Sequence, residues 1–348
     1  MGEDIFFFGS GFSKSLIPQY PTLRELSKYI KNELCYEKGS VKEHFQNEVP
    51  NKFHNDIETL LAYLSSKLPY KTDVQISMDE ALYKDITSKI AKYFYDLRKQ
   101  LKVDYNENNI KEFAKYILDN KITCITLNYD LILEDLLYKN KNTPETYQQY
   151  NKNYSVFYKI PITELANRIP DGGSGGAFSD YEKDDDRTEI LEIIKLHGSI
   201  NWLSSGQTND PIYCETETEQ EQKKEYLKTD LNTFIVPPVL DKQSQYNNII
   251  LRALWKKAFN TLRTANNIYI YGFSFPLTDF SIKFLFQSAL KNNNHYKIYI
   301  INTNTNLDNL KNRYFDVFEE DKCDFSCCVE KNQLKTLLEL LENLGRIK

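Results

Sequence analysis

Nowhere in these 348 residues does an apolar run approach the roughly 20 residues that a membrane-spanning helix needs. No basic segment precedes the first apolar stretch, which is itself too short for the core of a secretory leader. The chain is therefore expected in the cytoplasm, with no membrane partner. Cysteine is sparse: Cys35, Cys124, Cys214, Cys323, Cys327 and Cys328 form no C-x-x-C pair, which argues against structural zinc, and indeed any metal, and favours buried free thiols. Excess positive charge is also missing. A net charge of −5, with 44 Lys+Arg against 49 Asp+Glu spread along the chain, gives no electrostatic reason to grip a nucleic-acid backbone. What is present is 41% hydrophobic and 14% aromatic residues, enough for a sizeable packed core.

The chain opens with Asp4-Ile5-Phe6-Phe7-Phe8, a continuous apolar run that suits a central parallel strand covered on both faces. It breaks into Gly9-Ser10-Gly11-Phe12-Ser13, where glycines permit a tight turn and N–H groups can point at a phosphate. Alone, a Gly-x-Gly is a weak signal, equally met in an ordinary strand-to-helix connection. Thr22-Leu23-Arg24-Glu25 then has capping-box spacing, and Leu23, Leu26, Ile30 and Leu34 continue on one helical face. Strand, glycine turn and helix thus come in order.

From Thr22 to about Asn109 the spacing is helical, with Ile57-Leu60-Leu61-Leu64 and Ile86-Ile90-Tyr93-Leu97 separated by a break at Pro69 to Asp73. Ile122 to Leu127 changes to β-branched residues and ends in Asn128-Tyr129-Asp130, placing polar groups at a strand's carboxyl end, the ligand-binding edge of open α/β sheets. The stretch 139–188 reads as a flexible insertion around Asp171 to Gly176. Its run from Glu182 to Arg187 is a solvated charge cluster, lacking the alternation of a calcium loop. Ile190 to Leu196 is a strand that delivers His197-Gly198-Ser199. A lone histidine is usually a surface or core residue, but its bracketing by a strand and a glycine points to chemistry. A second polar insertion spans about 204–230, including the acidic, Gln-rich run Gln207 to Lys228. After it come strands at Phe234–Val236, Ile268–Tyr271 and Lys297–Ile301, alternating with helices through Trp255, Phe280 and Leu334 to Leu344. This is the rhythm of a Rossmann-like α/β fold: a parallel sheet with crossover helices and a helical insertion at about 22–120.

Five strand ends carry Gly9-Ser10-Gly11, Asn128-Tyr129-Asp130, His197-Gly198, Gly272-Phe273-Ser274 and Asn302. In this order, and with the string from Gly9 to Thr22, the chain resembles the sirtuin-like family of NAD-binding proteins, in particular its bacterial defence-associated branch. The resemblance implies one catalytic domain over 1–348. It implies that Gly9, Ser10, Gly11 and Ser13 hold the NAD pyrophosphate, and that Asn128 sits beside the nicotinamide ribose. Asp130 would accept from the carboxamide, His197 would act as base, and Gly198, Gly272, Ser274 and Asn302 would line the rest of the nucleotide site. NAD is then the substrate, and breaking its ribose–nicotinamide bond needs a positioned base and a fixed leaving group more than a strong nucleophile.

Two departures from the deacylase branch bear on the acceptor. Its cysteine pairs are absent, and Leu127 stands where deacylases carry Gln. Water is then the expected acceptor, making the chain an NAD glycohydrolase that yields nicotinamide and ADP-ribose and serves antiphage defence by depleting NAD. The alternatives are an NAD-dependent protein deacylase or ADP-ribosyltransferase, and a silent nucleotide-sensing module. A dehydrogenase is disfavoured, since no acidic residue follows a second strand to bind ribose hydroxyls. The branch also implies a homo-oligomer, restrained at rest and activated by a partner such as an ATP-driven translocase or a phage component.

Overall fold

Three consecutive phenylalanines decide where the first strand sits. Phe6, Phe7 and Phe8 are all fully buried, each removing apolar surface from water worth roughly 1.5–3 kcal/mol. The computed structural model describes residues 3–36, 39–100, 104–105, 107–141, 157–158, 162–164, 191–204, 212–214, 232–236, 248–276, 279–303 and 305–347. In chain order the first half holds β1 (Glu3–Phe8), α1 (Ser10–Leu16), α2 (Leu23–Tyr36), α3 (Ser40–Asn47), α4 (Ile57–Ser65), α5 (Asp73–Gln100), α6 (Asn108–Asp119), β2 (Thr123–Thr126) and α7 (Ile132–Asn140). Then come β3 (Ile162–Glu164), β4 (Ile193–Lys195), β5 (Gly198–Ser204), β6 (Ile212–Cys214), β7 (Asn232–Ile235), α8 (Ile249–Thr264) and β8 (Ala265–Tyr271). The chain continues through α9 (Phe280–Leu290), β9 (Lys297–Ile301), α10 (Leu307–Phe315), β10 (Cys323–Asp324) and α11 (Gln333–Asn343).

The main sheet has the order β10-β9-β8-β1-β2-β4, and its pairings are all parallel. Side chains alternate across a strand, so Phe6 and Phe7 point to opposite faces. The Phe6 ring meets Phe113 of α6 edge-on at 5.2 Å, and Phe7 meets Phe286 of α9 at 5.0 Å. Helices therefore cover both faces, with α6 and α11 in contact on one and α8 and α9 on the other. This is the Rossmann-like α/β arrangement that the alternating pattern predicts. Among the described residues no helix is long and apolar enough to cross a membrane.

Within the stretch 22–120, expected as a helical insertion, lie helices α2 to α5 together with α6, which packs on the main sheet through Phe113. The entry to this stretch is set by the expected capping box: Glu25 Oε2 accepts from the Thr22 N–H at 2.7 Å, and Thr22 Oγ1 accepts from the Glu25 N–H at 3.3 Å. The break at Pro69 to Asp73 separates α4 from α5, as the spacing predicts. Helix α5 packs on β5 and β7 and is pinned to α7 by a two-pronged Arg98–Asp135 pair at 2.9 and 3.0 Å.

Several expectations need correction. The helix expected from Thr22 is preceded by another: Ser10–Leu16 is helical, so the Gly-x-Gly string opens a short helix. A second sheet, of order β3-β6-β5-β7 and mainly antiparallel, was not expected, and the strand expected at Phe234–Val236 belongs to it as β7 rather than to the parallel sheet. Strand β5 of the second sheet begins at Gly198, two residues past the strand expected over Ile190 to Leu196, of whose described residues Ile193–Lys195 are strand. Within the stretch 204–230, expected to be a flexible insertion, Ile212–Cys214 is β6. The Asp171 to Arg187 run, and most of Gln207 to Lys228, lie outside the described residues.

Candidate functional site

Parallel register brings the strand ends together. Phe8 pairs with Thr126 on one side and Tyr271 on the other, Thr126 pairs with Lys195, and Tyr271 with Ile301. Gly9, Gly272 and Asn302 thus each lie one residue past a paired position, and Asn128 and His197 each lie two past the Thr126–Lys195 pair. All stand on the carboxyl edge of the sheet, where such folds bind ligands.

At the centre is a buried polar cluster. The Asn128 side-chain amide donates to the Gly9 carbonyl and to Ser13 Oγ, both at 3.0 Å, and Ser13 Oγ–H donates to Asp130 Oδ2 at 2.9 Å. The Asp130 carboxylate also accepts the Tyr20 hydroxyl on Oδ2 and the Ile132 N–H on Oδ1, the latter at 3.0 Å. Ser13 has no exposed surface, and Asn128, Asp130 and Tyr20 are buried. Burial, and then the adjacent Asp130 charge, hold the Tyr20 phenol well above its ordinary value, so it remains a hydrogen-bond donor. The structure thus joins Ser13, Asn128 and Asp130 directly. Ser13, expected at the pyrophosphate, bridges the two polar residues.

Beneath this cluster lies a buried ion pair. Lys195 Nζ donates to Glu134 Oε1 at 2.8 Å and to the Asp130 main-chain carbonyl at 2.7 Å, with both charged side chains fully buried. The Tyr158 hydroxyl donates to the same Glu134 oxygen at 2.7 Å, and its ring packs edge-on against Trp202 of β5 at 5.1 Å. Burial, with the Glu134 charge second, keeps the Tyr158 phenol un-ionised. The pair ties the Asn128–Asp130 segment to the end of β4.

His197 occupies the two-residue turn from β4 into β5, so it leads the chain from one sheet to the other. Its neighbours are clamped. The His197 carbonyl accepts the Val236 N–H at 2.8 Å, and the Leu196 carbonyl accepts the Trp255 indole N–H at 3.1 Å. Across the turn, the Tyr129 carbonyl accepts the Ile200 N–H at 2.9 Å, binding the His197 turn to the Asn128–Asp130 segment. Gly198 is required here: its φ is +75°, and a Cβ would lie 2.2 Å from the Phe234 carbonyl oxygen.

The glycines after β1 also join this strand end to its neighbour. The Gly9 N–H donates to the Tyr271 carbonyl and the Gly11 N–H to the Gly272 carbonyl, both at 2.9 Å. These two donors are engaged by the turn after β8, while Ser10 is exposed. A Cβ on Gly272, whose φ is +69°, would lie 2.1 Å from the Phe12 nitrogen, so the contact of α1 with this turn depends on glycine. Asn302 buttresses the same turn by donating to the Phe273 carbonyl at 3.2 Å, and Ser274 is half-buried within it. Among the described residues no group of His, Cys, Asp and Glu could hold a metal ion.

Sequence reasoning missed Tyr20, Glu134, Tyr158 and Lys195. Lysine inside the apolar run Ile190 to Leu196 was a usable signal, since a buried strand position tolerates such a charge only with a partner. Glu134, four residues after Asp130 on the following helix, was the natural candidate.

No protein-family model matches the chain, and no curated protein matches it. Solved structures of Sir2 proteins do align with it. A Sir2 homologue in complex with NAD is 11% identical, with a TM-score of 0.42 over 99% of this chain and 90% of that one. A mutant Sir2 homologue in complex with ADP-ribose is 12% identical, with a TM-score of 0.42 over 99% and 92%. A third, from work on the mechanism and regulation of Sir2 enzymes, is 11% identical with a TM-score of 0.41 over 99% and 92%. Likeness at this level does not reach the site, which stands on its own contacts.

Proposed function

We propose that this chain hydrolyses NAD to nicotinamide and ADP-ribose. The observation that carries the reading is the buried Asn128–Ser13–Asp130 set on the carboxyl edge of a parallel sheet, bound through Tyr129 to the turn that holds His197. In this reading Asp130 accepts from the nicotinamide carboxamide, Asn128 fixes the adjoining ribose or the attacking water, and His197 is the base. The bond from ribose C1′ to the pyridinium nitrogen breaks, and its electron pair leaves with nicotinamide. A water oxygen bonds to C1′ and gives its proton to His197, which returns it to solvent. Such an oxocarbenium-like path gains most from positioning and from carboxylate and imidazole groups held in place before reaction.

The sequence resemblance extends the reading to antiphage defence by NAD depletion. A freely active NAD hydrolase would harm its own host, so the reading includes a restrained resting state. Release from it would come through homo-oligomerisation or a partner protein, an ATP-driven translocase or a phage component.

Incubating the purified chain with NAD and resolving the products tests the chemistry. Equal amounts of nicotinamide and free ADP-ribose are expected. ADP-ribose attached to protein, or acyl transfer from an acyl-lysine peptide, would replace this reading with a transferase or deacylase. Tight binding without cleavage would replace it with a nucleotide sensor.

A further inference from the structure

The Asp130 carboxylate is already served by three protein donors. Two come from rigid parts of the fold, the Ser13 hydroxyl on α1 and the Ile132 N–H at the start of α7. The third, the Tyr20 hydroxyl, comes from the short connection between α1 and α2, bounded by Pro18 and Pro21. A carboxylate offers about four lone-pair directions, so one remains, and Asp130 is only 5% exposed. With so little of Asp130 exposed, a ligand amide reaches this carboxylate only when a side chain covering it withdraws. The Ile132 donor is main chain, and Ser13 also accepts from Asn128, which leaves Tyr20 as the donor able to leave.

The Tyr20 ring has a seat of its own. It lies against Phe94 of α5 with centroids 5.5 Å apart, and Phe94 also meets Tyr129 edge-on at 5.9 Å. The ring is therefore held by the helical insertion, and the hydroxyl is the part that speaks to Asp130. We infer that the Tyr20 hydroxyl is an internal competitor for the Asp130 carboxylate, holding the site closed until a carboxamide donor displaces it. The inference rests on the NAD reading above. It gives the helical insertion a part in setting ligand affinity, through the seat that α5 provides.

The test is Tyr20→Phe, which keeps the ring on Phe94 and removes only the hydroxyl. Calorimetric titration with NAD should show about tenfold tighter binding in the variant, the scale of one hydrogen bond to a charged group. ADP-ribose, which has no carboxamide, should bind both proteins alike. Unchanged or weaker NAD affinity in a variant of unchanged melting temperature would overturn the inference, as would equal tightening for both nucleotides. Hydrogen exchange of the ligand-free segment 17–26 gives a readout independent of NAD, and it should quicken in Tyr20→Phe. If neither protein binds either nucleotide, the NAD reading fails. Faster exchange in that case still supports Tyr20 as the closing contact on Asp130, and unchanged exchange overturns it.

Discussion

Lys195 donates to the main-chain carbonyl of Asp130 at 2.7 Å from a position with no exposed side-chain surface, and its other partner is the Glu134 carboxylate at 2.8 Å. One buried cation thus fixes both the backbone of the candidate site and the charge below it.

Lys195→Met is expected to destabilise the fold by about 3–5 kcal/mol, because it leaves Glu134 as an unpaired buried carboxylate. Adding Glu134→Gln removes that charge while keeping an acceptor for Tyr158, and should recover much of the loss. Urea denaturation of the two single variants and the double variant measures the coupling. Purely additive losses would show that the pair does not act as a unit.

Gly272→Ala is expected to cost about 3 kcal/mol or more, combining a left-handed backbone with a Cβ 2.1 Å from the Phe12 nitrogen. Thermal denaturation reads it directly. A variant as stable as the parent would mean that α1 can move away from the β8 turn.

His197→Ala should lower the rate of nicotinamide release by about 10²–10⁴ while leaving NAD affinity within a few-fold, the signature of a lost general base. Asn128→Ala should be comparably inactive and also less stable, since its amide joins Gly9 to Ser13. Turnover retained in His197→Ala would remove this residue from the base role.

Stability should fall at alkaline pH. Burial first raises the phenols of Tyr20, Tyr158 and Tyr314, with Asp130, Glu134 and Cys328 respectively as the next cause. The folded state keeps these protons where the unfolded chain, with phenols near about 10, releases them. Their contribution is fully present below about pH 10 and is lost as pH rises from there toward the folded values. Urea midpoints measured across this range, with tyrosinate absorbance followed in parallel, should fall together with the onset of ionisation. A flat midpoint through that range would contradict the burial.

A thiol reagent at neutral pH should label one cysteine quickly. Cys35 is exposed, whereas Cys124, Cys214, Cys327 and Cys328 are buried. Burial pushes the Cys327 thiol up to about 11 and those of Cys323 and Cys328 to about 12. Mass spectrometry of the early adduct should find it on Cys35; rapid labelling of Cys327 or Cys328 would mean that the C-terminal region opens readily.

All strands of the main sheet but the two-residue β10, and the strand-end residues, were legible because a buried parallel strand leaves a continuous apolar run, and its polar terminus stands out. Phe6 to Phe8, Ile268 to Tyr271 and Lys297 to Ile301 all show this. The second sheet was legible only in the strand expected at Phe234–Val236, which overlaps β7, and not as a separate sheet. Its strands Ile162–Glu164 and Ile212–Cys214 are three residues long, too short for a period to show, and they lie next to polar composition. Gly9 and Gly11 were legible as glycines demanded by geometry, but not in what demanded them. A backbone approach and a phosphate call for the same residue, and only the distance from Gly272 tells them apart. Tyr20 left no trace in the pattern, because its partner Asp130 is far along the chain.

The strand at the centre of the main sheet is also the first to be synthesised. Phe8 needs Thr126 on one side and Tyr271 on the other, so its second edge stays unpaired until most of the chain has left the ribosome. At about 5–20 residues per second that interval is on the order of ten seconds or more. Throughout it, three adjacent phenylalanines stand beside an open strand edge, a hazard for aggregation. Yield of this protein should therefore depend on chaperone supply and growth temperature more than its final stability would suggest.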